Sequence, residues 1–192
     1  MKKTGLYFGS FNPIHIGHLA IAGYMTAFTD LDELWFVLSP HNPLKDKKSL
    51  LDDYQRLELV RLATEDDERF RVSDIEFHLP QPSYTIDTLS YLAEKYPDRE
   101  FILVMGADGL KTFRKWKNYQ VIEANYHRIV YPRPGIGREE ILAHPNVSLV
   151  DAPLMEISSS FIRESIREGR DVRHFLPEKV HRYIREMHFY EK

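Results

Sequence analysis

His15 and His18 stand three residues apart in the stretch Gly9-Ser10-Phe11-Asn12-Pro13-Ile14-His15-Ile16-Gly17-His18, directly after an apolar run at 6–8. The run predicts a buried strand, the Gly/Asn/Pro stretch a turn, and the residues from His15 onward the first turn of a helix. A helix entered straight from a strand presents free backbone N–H groups and the positive end of its dipole, and such a terminus receives anions. Both histidines fall on one face of that turn. They can donate hydrogen bonds to phosphate oxygens, more strongly when protonated. Gly9 lets the backbone approach a phosphate closely, and Gly17 lets the helix pack or a ligand draw near. The alternatives are a metal pair or two solvated histidines at a helix end. Helical metal pairs more often use an i,i+4 spacing, and no third ligand stands nearby. A second candidate is Ile157-Ser158-Ser159-Ser160-Phe161-Ile162-Arg163. Three serines there open a helix, with the fixed charge of Arg163 less than two turns further on. Taken alone, this segment reads as a serine cap followed by a surface arginine, as in many helices.

The elements that must position these residues follow from hydrophobic patterning. Apolar runs at 6–8, 34–38, 101–105, 129–131 and, more weakly, 147–150 suit strands buried on both faces. Helical spacing separates them: Tyr54, Leu57, Val60 and Ala63; then Ile86, Leu89, Ala93 and Tyr96. The clearest stripe is Leu176, Val180, Tyr183, Ile184 and Met187. The alternation predicts an α/β class, a Rossmann-like doubly wound, mainly parallel sheet with helices on both faces. One domain is expected over 1–192, its C-terminal helical part beginning near 158. Three loops interrupt the rhythm, at 39–48, 77–84 and 132–137, where open α/β sheets carry their ligands.

Composition narrows the partners. The chain has 192 residues, a formal net charge of −3 and no cysteine. General attraction to nucleic acid is not expected, so an anionic substrate must be held by local basic groups. Disulfides, thiolate nucleophiles and cysteine zinc sites are excluded. No apolar run approaches the roughly 20 residues that span a bilayer, and no signal-peptide h-region is seen; a cytoplasmic protein without membrane contact is expected. A homo-oligomer is compatible with the sequence.

Gly9-Ser10-Phe11-Asn12-Pro13 followed by His15-Ile16-Gly17-His18 resembles the nucleotidyltransferase superfamily marked by G-[ST]-F-x-P and H-x-G-H. The segment 157–163 is similar to its I-S-S-T-x-I-R block. Three further stretches resemble the bacterial nicotinate-nucleotide adenylyltransferases across nearly the whole chain. They are Ser83-Tyr84-Thr85-Ile86-Asp87-Thr88-Leu89, then Met105-Gly106-Ala107-Asp108 with Phe113 and Trp116, and Phe175-Leu176-Pro177 with Val180, Tyr183 and Ile184. This chain departs from that family in three places. Phe8 stands where Gly is common, Asn12 where Asp is frequent, and His41-Asn42-Pro43-Leu44-Lys45 where P-P-H-K is common.

The resemblance implies adenylyl transfer from ATP to nicotinate mononucleotide, with Mg²⁺ accompanying ATP rather than sitting in a protein cage. His18 would meet the α-phosphate and transition state, and His15 would position ATP. Lys45 and Arg163 would meet the polyphosphate. Gly9, Ser10, Phe11, Gly106, Asp108, Ile157, Ser158 and Ser160 would complete the ATP side, with Asp108 accepting from ribose hydroxyls. The alternative for Asp108 is a helix N-cap. On the acceptor side the resemblance implies Trp116 stacking on the pyridine ring. Backbone N–H groups at Thr85 and near Tyr119 would hold the nicotinate carboxylate, and Arg133 the mononucleotide phosphate. By pattern alone Trp116 reads as core. Two rival readings remain: nicotinamide mononucleotide as the acceptor, and a nucleotide-binding regulator without catalysis.

Overall fold

Every apolar run expected to be a strand is one, and its side chains alternate between two helical layers. The computed structural model describes residues 1–40 and 50–191. Among these, six strands form one sheet: β1 (Lys2–Gly9), β2 (Glu33–Leu38), β3 (Phe70–Ser73), β4 (Arg99–Gly106), β5 (Arg128–Tyr131) and β6 (Val147–Leu149). Their spatial order is β3-β2-β1-β4-β5-β6, and every neighbouring pair is parallel. This is the doubly wound order, in which the chain leaves β1 on one side and returns on the other.

The helices are α1 (Ile16–Phe28), α2 (Asp53–Thr64), α3 (Ile75–His78), α4 (Thr85–Lys95), α5 (Ala107–Phe113), α6 (Tyr119–Asn125), α7 (Arg138–Leu142), α8 (Ser159–Arg167) and α9 (Glu178–Glu186). On one face of the sheet Tyr7, Phe36, Val104 and Ile129 share a core with Met25, Val60, Ile162, Val180 and Ile184. On the other, Leu6, Trp35, Leu103 and Val130 share one with Leu89, Leu110, Phe113, Ile122 and Ile141. Burying each such side chain contributes about 1.5–3 kcal/mol relative to exposure. That two-sided burial removes polar alternation from the strand sequences. No helix among the described residues is long and apolar enough to cross a membrane.

Three expectations need correction. Strand β3, with sequence FRVS, is an edge strand only partly buried, so it has no apolar run to betray it. On α2 the buried face is Arg56, Leu57, Leu59, Val60 and Thr64, while Tyr54 is exposed. The stripe is rotated because a buried arginine takes an inward position. On α4 the buried set is Ile86, Thr88, Leu89 and Leu92, with Ala93 outside.

Candidate active site

Gly9 and Gly106 end two adjacent strands, β1 and β4, at the point where the order of the sheet reverses. Ligands bind beyond the carboxyl ends of strands at such a crevice. After β1 the chain turns through Phe11, which has a positive φ of 43°, and the cis Asn12–Pro13 bond. It enters α1 with His15 as N-cap. The backbone N–H of His15 donates to Nδ1 of His18 at 3.2 Å. The two imidazoles stack with centroids 3.7 Å apart and planes inclined by 27°. With Nδ1 of His18 accepting, the proton of the neutral ring sits on Nε2, ready to donate.

Burial sets the charge of this pair. It lowers His15 to a pKa of about 4, with the charge of Arg133 adding to the effect. Burial also holds His18 well below the usual imidazole range, reinforced by His15 and Arg133. Both rings are therefore neutral near pH 7 before any phosphate arrives, each with one N–H to donate. Phe11 is buried and packs edge-on against His18 at 5.1 Å between centroids. Tyr7 does the same at 6.2 Å. The side chain of Phe11 thus supports His18 from below. The need for glycine at position 9 has the same origin, since a Cβ there would lie 2.8–3.0 Å from the Phe11 ring.

The histidines line a cleft of about 420 Å³ with Tyr7, Tyr131, Arg133 and the segment 155–159. Ser158 caps α8, its hydroxyl accepting from the N–H of Phe161 at 3.2 Å. Ser159 Oγ donates to the Pro13 carbonyl at 2.9 Å, which fastens α8 to the loop after β1. Arg163 sits behind that loop: it donates to the Asn12 carbonyl at 2.7 Å and to Ser160 Oγ at 3.2 Å. Ile157 and Ser158 line the cleft directly.

Arg133 enters this same cleft, on the side of the histidines and α8. It donates to the Met155 carbonyl at 3.0 Å and lies 3.4 Å from Asp108. Gly106 makes that pairing possible, because a Cβ there would meet Asp108 Oδ1 at 2.4 Å and Arg133 Nε at 3.1 Å. Asp108 is inside the first turn of α5, whose N-cap is Gly106, so capping does not explain it. Among the described residues, His15 Nδ1 and Arg133 Nε are buried, the latter held in the ion pair with Asp108.

The remaining sequence candidates gather at a second place. Thr85 opens α4 and Tyr119 opens α6. Lys117, in the turn between α5 and α6, pairs with Asp87 of α4 at 2.8 Å and lies over the Tyr84 ring at 4.6 Å. This draws the Trp116–Tyr119 turn onto the start of α4. Trp116 is half-buried and packs against Phe113 at 5.5 Å. Helix α5, about 10 Å long at 1.5 Å per residue, links the Gly106–Asp108 end of the first region to this second one. Lys45 lies outside the described residues.

Two residues that sequence reasoning passed over hold the region together. Arg56 is fully buried in α2 and donates to the carbonyls of Ser10 at 2.5 Å and Ser39 at 3.0 Å. It also pairs with Asp53. Glu76, on α3, is buried beside the start of α4. A charged residue in an amphipathic helix ordinarily reads as surface, so spacing offered no signal for either.

Comparison with known proteins gives the family and the fold. The model of the Cytidylyltransferase-like family matches residues 6–165. A relative from Flavobacterium johnsoniae, named "Probable nicotinate-nucleotide adenylyltransferase", is 56% identical over 192 residues, covering 99% of this chain and 100% of its own. A relative of the same name from Bacteroides fragilis is 51% identical, covering 95% of this chain and 90% of its own. The fold matches that of Plasmodium falciparum nicotinic acid mononucleotide adenylyltransferase. Its structure in complex with NaAD has a TM-score of 0.85 at 20% identity and covers 99% of this chain and 98% of its own. The same enzyme complexed with APC gives 0.83, with the same coverage.

Proposed function

The chain belongs to the cytidylyltransferase-like family and, within it, to the nicotinate-nucleotide adenylyltransferases, and from that premise we infer how its site works. The protein transfers the adenylyl group of ATP to nicotinate mononucleotide, forming nicotinate adenine dinucleotide and pyrophosphate in NAD biosynthesis. The single observation that carries the mechanism is the convergence of His15, His18, Arg133 and the start of α8 on one cleft.

The attacking group is a phosphate oxygen of the mononucleotide, already anionic at neutral pH, so no strong general base is needed. It forms a bond to the α-phosphorus of ATP as the bond to the β-phosphate oxygen breaks. The site must align two anions that repel each other and stabilise charge on the departing pyrophosphate. Neutral, preorganised donors suit this task in a buried cleft, because they need no reorganisation as charge develops. In our reading Nε2–H of His18 meets the α-phosphate, and His15 orients the polyphosphate. The N–H groups at the start of α8, with Ile157, Ser158 and Ser160, receive phosphate oxygens. Gly9, Ser10 and Phe11 shape the loop beneath. Arg133 contributes the fixed positive charge on the donor side, in place of the acceptor role expected from its loop. Its ion pair with Asp108 supports ribose recognition by that carboxylate. Arg163 acts by holding the loop at Asn12, and Lys45 is retained as a polyphosphate ligand.

On the acceptor side, Trp116 stacks on the pyridine ring, and the first N–H groups of α4 and α6, at Thr85 and Tyr119, take the carboxylate. Magnesium enters as part of the substrate, on the phosphates of ATP. A substrate drawn from the ATP pool supports a cytoplasmic place of action. Pyrophosphate release from ATP plus nicotinate mononucleotide tests the reading. Release that requires both substrates is expected, and its absence with either mononucleotide would instead favour a nucleotide-binding regulator.

A further inference from the structure

We propose that Glu76 is a positioning residue for the acceptor side, its buried carboxylate fixing the start of α4 and the loop that leads into it. The proposal rests on the acceptor reading given above. Glu76 is 3% exposed. Thr88, in the first turns of α4, donates to Oε1 at 2.8 Å, and Ser83, two residues before the helix, donates to Oε2 at 3.3 Å. Gln81 donates to the Glu76 carbonyl at 2.8 Å, tying down the same loop.

A buried carboxylate is ordinarily balanced by a cation. Among the described residues no cation pairs with Glu76; its side-chain partners are all hydroxyls. Burial raises its pKa, and the hydroxyls of Thr88 and Ser83 oppose that rise. An apolar residue would fill the space at lower cost, so this network calls for a role beyond packing. Its partners bracket Thr85, the residue whose N–H is expected to meet the nicotinate carboxylate. Glu76 thus fixes the acceptor-binding helix start together with the loop that leads into it.

Initial-rate kinetics on the full chain test this, with Glu76→Ala, Glu76→Gln and Ser83→Ala compared with wild type. Glu76→Ala is expected to raise KM for nicotinate mononucleotide about tenfold, with KM for ATP changed by less than about twofold. The carboxamide of Glu76→Gln still accepts from Thr88 and is expected to recover most of that loss. Ser83→Ala, at a half-buried loop position, is expected to raise the acceptor KM about threefold; with Glu76→Gln it keeps the test decisive if Glu76→Ala does not fold. The proposal is overturned if the acceptor KM stays within about twofold of wild type in the folded variants. It is also overturned if both KM values rise together, or if Glu76→Gln is no better than Glu76→Ala. A wild-type protein inactive with nicotinate mononucleotide would instead refute the acceptor reading itself.

Discussion

The imidazoles of His15 and His18 lie stacked, 3.7 Å between centroids, with the backbone N–H of His15 fixing the tautomer of His18. The hydrogen bond leaves Nε2 of His18 as the donor. The first ring stacks on the second, and Phe11 and Tyr7 pack against its edges. Such a donor stabilises charge that develops during transfer more than charge already present in bound ATP.

Replacing His18 with alanine therefore lowers kcat by about 10²–10³-fold, as removal of one preorganised donor does elsewhere, while ATP binding changes far less. Single-turnover rates beside equilibrium ATP titration separate the two effects. An unchanged kcat would remove His18 from the transition state.

The neutral state of His15 has a consequence for stability. Its folded pKa of about 4 lies below the ordinary 6.5. Between those values the unfolded chain binds more protons than the folded one, so stability is present above pH 6.5 and falls as the pH is lowered towards 4. The depression amounts to on the order of 3 kcal/mol across that window. Denaturant midpoints measured from pH 7 to 4 should fall, and His15→Gln should flatten the profile.

Arg56→Ala removes a fully buried charge and the bonds that hold the Ser10 and Ser39 carbonyls. A loss of about 3–5 kcal/mol is expected by chemical denaturation. In whatever fraction remains folded, KM for ATP should rise, because the loop after β1 has lost its support.

Glu33 provides the contrast. It is buried near the opposite end of the sheet, accepting from Thr4 at 3.1 Å and Trp35 Nε1 at 2.8 Å and pairing with Lys2, Arg71 and Arg99. Burial pushes its carboxyl up, but Lys2, Trp35 and Arg99 together hold it below the ordinary value. Glu33→Ala should cost about 3–5 kcal/mol, yet at a temperature where the variant is folded its kcat should match wild type within about twofold.

Five of the six strands and both candidate helix starts were legible in the sequence because each depends on local features. Two-sided burial writes continuous apolar runs, and a Ser or His cap writes itself at a helix start. The placement of Arg133 was not legible. It enters the histidine cleft because β4 and β5 are neighbours, and nothing local to 132–137 states that adjacency. Arg56 and Glu76 escaped notice for a related reason. Their partners are carbonyls and hydroxyls from distant loops, so only the folded chain shows that these charges are satisfied. Strand β3 was missed because an edge strand of four residues needs no apolar run.

The central claim is the identity of the acceptor, which one carboxylate or carboxamide decides. The helix starts at Thr85 and Tyr119, with Lys117 beside the first, favour a negative group on the ring. The most direct test is kcat/KM for nicotinate mononucleotide against nicotinamide mononucleotide, with ATP saturating and pyrophosphate as the readout. A preference for the acid of about tenfold or more is expected; an equal or greater value for the amide would contradict the assignment.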